Sequence, residues 1–312
     1  MVSSTNKYLC GIVALTALAS GCGAAPSPFT LQFAATVNGV PVSCAAEFTG
    51  LGPSGQNTIG VSDLRFYVSN VQFWDRGGNP VALKLDDNEF QLNDPAGSVA
   101  LIDLTGNTEG TCGQSAIAFA EGTERTNSVL RGSTVVEDVA SISFEIGVPQ
   151  ALMKSVIAVN TAESAPSPLN EMYWNWASGY RHFVFNFAAR DGMQNKGGGY
   201  LHIGSRNCGP PDGRALKDRA SCEFVNTPKF SAAGFDLRTN HVGVDLGSLV
   251  AGLDFIAPIY DPKTFEVIGQ GVGAECHSAP TQPDCPQIFG NLGIDMASGG
   301  AQASGNRVFS VR

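Results

Sequence analysis

The sequence predicts an all-β fold, an antiparallel β-sandwich or barrel-like single domain with long disulfide-stapled loops and few short helices. Three observations carry this. Short segments rich in Val, Ile, Phe, Tyr and Thr recur along the chain with two-residue alternation. They are separated by turn residues drawn from 37 Gly and 17 Pro. There is no regular strand–helix alternation of the kind that builds a parallel sheet, and no internal repeat.

In chain order, the first strand is Phe29 to Val37. The longest is Ser62 to Trp74 (SDLRFYVSNVQFW), whose alternation reads as half-buried. Asp75 to Pro80 (DRGGNP) is a turn, and Val81 to Leu85 returns from it. Val99 to Leu104, Ala140 to Val148 and Arg181 to Ala189 follow. In the last of these Phe183, Phe185 and Phe187 share the core face. Asp191 to Gly199 reads as a glycine-rich loop leading to a strand at Tyr200 to Gly204. Lys229 to Leu237 and His241 to Leu246 complete the β-rich body. Helical patches are confined to Pro149–Val159, with Pro149 near the first turn, and Leu246–Leu253.

The N-terminus is an address. Lys7 precedes an apolar run from Tyr8 to Ala19 that is too short for a comfortable membrane span of ~20 residues. It ends in Leu18-Ala19-Ser20-Gly21-Cys22, which is similar to a bacterial lipobox. The expected organisation is a lipoprotein signal peptide at 1–21, a lipidated Cys22 with a linker to residue 28, and one domain over 29–312. The location is then the periplasm or cell surface, tethered to the membrane by lipid. The net charge of −9 and the absence of any basic run exclude nucleic acid as a partner.

Of eight Cys, Cys10 leaves with the signal and Cys22 takes the lipid. The remaining six suit an oxidising compartment and allow fifteen connectivities. The simplest pairs neighbours as Cys44–Cys112, Cys208–Cys222 and Cys276–Cys285. The rival, a thiolate metal site, lacks any CxxC.

Catalytic signatures are missing. There is no GxSxG, Walker loop, HExxH or CxxCH, and no identifiable carboxylate pair for a hydrolase. Asp86-Asp87-Asn88-Glu89 lacks the spacing of a calcium loop and reads as a solvated acidic turn. The four His are 182, 202, 241 and 277, each read alone as structural. Ala165 to Tyr180 (APSPLNEMYWNWASGY) concentrates Met172, Tyr173, Trp174, Trp176 and Tyr180. It reads either as an aromatic core plug or stacking surface, or as a redox or metal neighbourhood, since Met is a soft ligand for Cu(I).

Taken together, Ser62 to Val71 (SDLRFYVSNV), Val99 to Asp103, Thr126-Asn127, Phe144 to Pro149 (FEIGVP), Ala165 to Asn170, Met172 to Tyr180, Leu201 to Ser205 (LHIGS) with Cys208, and Cys276…Cys285-Pro286…Ile288-Phe289 resemble the MbnP-like family, the metallo-mystery pair four-Cys motif proteins. The matches span nearly the whole chain after residue 28, in the family's order. The resemblance implies a β-sandwich that binds copper, as Cu(I) or Cu(II). It also implies a partner, a di-haem cytochrome c peroxidase-like protein of the MauG/MbnH kind, that oxidises one Trp to kynurenine. The chain would then be a substrate and not an enzyme. Carried onto this sequence, the modified Trp is Trp174 or Trp176, and His202 is the foremost copper ligand. Such an indole is expected near the surface that faces the oxidant.

The family's Asn-His pair after the GVP segment is replaced by Met153-Lys154. A protonated Lys154 is a poor ligand, whereas the thioether of Met153, like that of Met172, suits Cu(I). Asp63 and Asn170 are candidates to orient His202 through its second ring nitrogen. The competing class is a surface module without metal that binds carbohydrate or protein through exposed aromatics such as Trp74.

Overall fold

The computed structural model describes residues 24–43, 45–105, 125–161, 164–174, 179–192, 195–208 and 222–312. The signal segment with Cys22, Cys44, Cys112 and Trp176 lies outside the described residues.

The all-β expectation holds. A twelve-stranded sheet faces a six-stranded one, and both are open. The larger sheet is organised on one strand, Asn57–Trp74, five residues longer at its start than expected. Along it runs Gly179–Asp191, with Phe183 opposite Phe66 and Val184 opposite Arg65. Ser141–Ile146 continues along the same edge, opposite Val68 to Trp74, and Gly97–Asp103 pairs with the other edge. Beyond Gly179–Asp191 come Asn195–Gly204, Val267–Cys276 and, at the edge, Ile256–Tyr260. The smaller sheet is built on Ser27–Val37. Two pairings run parallel, Phe33 to Thr36 beside Val242 to Asp245 and Gly198 to Leu201 beside Gly273 to Cys276. The rest are antiparallel.

The alternation of the long strand sets the architecture. Leu64, Phe66 and Val68 point between the sheets, where Phe66 stacks on Phe183 at 5.7 Å and meets Phe33 edge-on at 5.8 Å. Phe183, Phe185 and Phe187 join the same core. The opposite face is also covered, so the strand is not half-buried. Tyr67, Val184 and Leu101 pack there against Leu152, Met153 and Val156 of the Gln150–Val159 helix, and against Leu169 and Met172. A strand covered on both faces loses its solvent side, and its polar residues must then find partners inside the protein. Asp63, Arg65 and Ser69 are all buried on it.

Three expectations are corrected. The Asp191 to Gly199 loop is mostly strand, because Asn195–Gly204 starts early. Its glycines reflect close packing: a Cβ at Gly197 would collide with the Val272 carbonyl, and one at Gly199 with the Phe187 ring. The β-body does not end at Leu246. The Ile256–Tyr260/Val267–Cys276 hairpin lies beyond it, hidden from pattern reading by Pro258 and by Gly269, Gly271 and Gly273. A further helix, Cys285–Leu292, carries Pro286 in its first turn and ends on Gly293 in the left-handed region at φ 71°. The Leu246 helix closes at Leu249.

Disulfides join Cys208 to Cys222 and Cys276 to Cys285. They fit an oxidising compartment outside the cytoplasm. Among the described residues no helix is long and apolar enough to cross a membrane.

Candidate metal centre

The site is written in the register of the large sheet. Directly opposed residues point to the same face, so cross-strand partners form rows. One row is Asp103, Arg65, Val184 and His202, each opposite the next. The adjacent row is Asp63, Asn186, Tyr200 and Glu275. Both lie on the face turned away from the main core.

The first half of these rows is an ion cluster. Arg65 is clamped by Asp63 through two bonds of 2.7 and 2.6 Å and reaches Glu171 at 3.3 Å. Burial opposes its charge, but Asp63, Asp103 and Glu171 hold it firmly protonated. Asp103 is pushed up to about 6, chiefly by burial. Tyr67 ties the covering segment down by donating to the carbonyls of Pro168 and Glu171.

The second half converges on two imidazoles. His202 presents its Nε2 to Asn186 Oδ1 at 2.8 Å. His277, just past the end of Val267–Cys276, presents its Nε2 to Glu275 Oε1 at 3.3 Å. The Glu275 carboxylate also accepts from the Tyr260 hydroxyl and Gln282 Nε2, and the His277 bond is first among the causes that hold it below its usual range. Amide and carboxylate oxygens accept, so in the tautomer that donates from Nε2 to these oxygens each ring turns Nδ1 to its neighbour as an acceptor. The two Nδ1 atoms face each other at 3.2 Å. His202 is kept neutral, its pKa pushed down to about 2 by burial first and then by His277, Arg181 and Arg65.

Two bare lone pairs at that distance repel unless a cation lies between them. A proton serves, and so does a metal. Nitrogens bound to one tetrahedral ion at ~2.0 Å sit about 3.3 Å apart, close to the spacing found here. Trp174 packs against both rings, 6.4 Å from His202 and 6.3 Å from His277 by centroid. It stands on a two-residue strand, Tyr173–Trp174, which pairs with the start of Gly179–Asp191. Among the described residues no group of three or more His, Cys, Asp or Glu gathers in metal-binding geometry. An ion here would draw on two imidazoles and a third donor of another kind. A cavity of about 590 Å³, lined by Tyr200, Ile259, Tyr260, Glu275 and His277 among others, opens beside the pair.

The structure thus brings His202 and Trp174 together. Met153 and Met172 belong to the adjoining apolar cluster, with Met153 Sδ 3.6 Å from the Ser205 hydroxyl. Lys154 follows Met153 on the same helix. Asn170 is exposed and Asp63 is engaged by Arg65, so neither orients His202; Asn186 does. Trp174 is 4% exposed, against the expectation of a surface indole. His277, Asn186 and Glu275 escaped sequence reasoning. The one signal for His277 was its place between Cys276 and Cys285, two residues after a carboxylate.

The MbnP family model matches residues 26–265 of the chain. The chain belongs to the MbnP family. Among solved structures, MbnP from Methylosinus trichosporium matches with a TM-score of 0.70 and 23% identity, covering 92% of this chain and 99% of that one. At that identity the MbnP likeness speaks for the fold. No curated protein matches.

Proposed function

We propose that this MbnP-family chain is a lipid-anchored, copper-binding protein held outside the cytoplasm through Cys22, and that it is a substrate, not a catalyst. The partner is a di-haem, MauG/MbnH-like enzyme, and the residue it oxidises is Trp174. The observation that carries this reading is the facing pair of Nδ1 atoms on His202 and His277, 3.2 Å apart and packed against an indole. Copper bound there would act as a soft, low-coordinate cation suited to imidazole donors.

The chain's own residues supply the rest. Asn186 and Glu275 hold the outer nitrogens, fixing tautomer and ring orientation. Burial of His202 keeps its ring neutral and therefore able to ligate. Cleavage of the Trp174 indole between C2 and C3, with two oxygen atoms supplied by dioxygen or peroxide at the partner enzyme and the formyl group then released as formate by water, would leave an aryl amine and a ketone beside the imidazoles. That product would offer a third donor where, among the described residues, no third His, Cys, Asp or Glu joins the pair.

The test is peptide mass spectrometry with copper analysis on protein produced with and without the haem partner. A kynurenine mass on the Trp174 peptide only with the partner, together with one copper lost on His202→Ala, is expected. An unmodified Trp174 beside an active partner, or copper retained by the His202→Ala/His277→Ala variant, refutes the reading. The non-metal binding module finds support in the exposed apolar hairpin residues Phe265, Val267 and Ile268. Saturable binding lost on their substitution, without any effect of copper, would favour it.

A further inference from the structure

We infer that the Cys276–Cys285 disulfide is the positioning clamp of the histidine pair, so that the metal site is completed only after that bond has been oxidised. This rests on the copper reading above. The disulfide closes a loop with a sequence separation of nine that begins one residue before His277.

Nearly every polar anchor of that loop bears on the site. The Ser278 hydroxyl donates to the His202 carbonyl at 3.0 Å and accepts from the Gly204 amide at 2.7 Å, which fastens the loop to the strand that carries His202. Ser278 takes φ 59°, a left-handed conformation that costs a serine energy and needs surrounding contacts to hold it. The His277 amide donates to Gln282 Oε1 at 2.6 Å, and the same Gln282 side chain donates to Glu275 at 3.2 Å. The Glu275 amide donates to Asp284 Oδ2 at 2.7 Å, beside Cys285. Cys276 lies opposite Leu201 in the parallel ladder, one residue before His202, so the bond is anchored on the strand next to the first imidazole.

Between Cys276 and Cys285 no residue belongs to a strand or helix. Without the bond, the placing of His277 Nδ1 against His202 depends on a short irregular segment held by side-chain bonds and two local backbone turns, Gln282 amide to Ala279 carbonyl and Cys285 amide to Gln282 carbonyl. Both Cys are fully buried. A formed bond is therefore shielded from reductants, and the clamp acts as an assembly step more than as a rapid switch. The chemistry balances: the two thiols lose two protons and two electrons to an external protein disulfide, which leaves as a dithiol. A chain still in a reducing compartment has both histidines but not their geometry.

The experiment titrates Cu(I) and Cu(II), each against a chromogenic competitor, into purified metal-free full chain. Cys276→Ala/Cys285→Ala is compared with wild type and with Cys208→Ala/Cys222→Ala, which removes a bond elsewhere. The first double variant is expected to lose about tenfold or more in copper affinity, and the second to change little. In the metal-free proteins, a nuclear Overhauser effect between the His202 and His277 rings is expected in wild type and in the second variant but not in the first. Equal affinity in all three, or ring proximity retained in the first variant, overturns the clamp. If wild type itself binds no copper, the copper reading fails and the ring proximity still decides the clamp. Should the first variant not fold, Cys208→Ala/Cys222→Ala opened by a phosphine reductant under mild denaturant, with free Cys276 and Cys285 thiols verified by alkylation and mass spectrometry of an aliquot, and then reoxidised replaces it. Affinity and ring proximity that vanish on reduction and return on reoxidation support the inference, and indifference to reduction overturns it. Ser278→Ala, with the disulfide intact, is expected to weaken copper binding by a smaller factor; no change would count against the loop's role.

Discussion

Lowering the pH from 7 to 5 should expose the cost of burying His182. Its ring is fully buried at a bulge in Gly179–Asp191, with Nδ1 3.3 Å from the Asn226 carbonyl and no partner at Nε2. Burial pushes its pKa down to about 4. The unfolded chain, with an imidazole pKa of ~6.5, therefore takes up this proton first as pH falls. The stabilisation is fully present above pH 6.5 and is lost progressively until the folded state protonates near pH 4. Linkage puts the loss at about 2 kcal/mol by pH 5, approaching about 3.4 kcal/mol at lower pH. Asp103 works in the opposite sense: its folded pKa of about 6 lies above the unfolded value, so its protonation returns about 1 kcal/mol at pH 5. His202, whose pKa is likewise pushed down, loses stability over the same interval, so the wild-type curve alone does not isolate His182. The assay is urea unfolding of metal-free wild type and His182→Gln at pH 7 and 5, with imidazole NMR as an independent titration. Wild type should lose about 2 kcal/mol more than the variant over that interval. Superimposable pH dependences, or an imidazole titrating near its free value, would refute the reasoning.

Further predictions concern the two rows of the sheet. Arg65→Met leaves the fully buried Asp63 carboxylate without its clamp and should cost about 3–5 kcal/mol in urea unfolding, whereas breaking the solvent-exposed Arg238–Asp236 pair should leave the unfolding midpoint nearly unchanged. Asn186→Leu removes the acceptor on His202 Nε2 and should lower copper affinity about 10–100-fold by competitor titration, with the fold retained by circular dichroism. Glu275→Gln keeps an acceptor for His277 and should weaken copper binding less than Glu275→Ala does.

Sequence reasoning reached the fold class because alternation and turn residues are local signals. The Phe183, Phe185, Phe187 face and the Pro149–Val159 helix were legible for that reason. The edge hairpin was not, since its glycines are set by close neighbours from other strands: Gly273 packs against the Gly198 carbonyl and Gly271 against the Ile259 side chain. The site was half legible. His202 and Trp174 lie in segments whose residue pattern resembles a family. His277 and Glu275 reach the site only through the parallel register of Tyr200 with Glu275, and register between strands some seventy residues apart leaves no trace in either strand alone. The polar face that holds Asp63, Arg65 and Asn186 looked like the solvent side of a half-buried strand until the covering helix and the Leu169–Met172 segment closed over it.

The burial of Trp174 bears on the order of events. At 4% exposure the indole offers almost nothing for a bulky oxidant to touch. An electron leaving it must pass through neighbouring groups, and among its ring neighbours His277 has the more exposed side chain, at 25%. Oxidation makes the indole transiently positive. A cation held between the imidazoles, whose centres are 6.3 and 6.4 Å from the indole, would oppose that charge. At an effective dielectric of ~20, two unit charges ~6 Å apart repel by about 3 kcal/mol, roughly a hundredfold in rate if it is expressed fully in the barrier. If the chain has the function proposed above, oxidation of Trp174 should therefore precede metal loading. Metal-free protein incubated with the active haem partner should gain the kynurenine mass much faster than the same protein loaded first with Cu(I). Equal rates would mean that the cation sits farther from the indole than the two imidazoles imply.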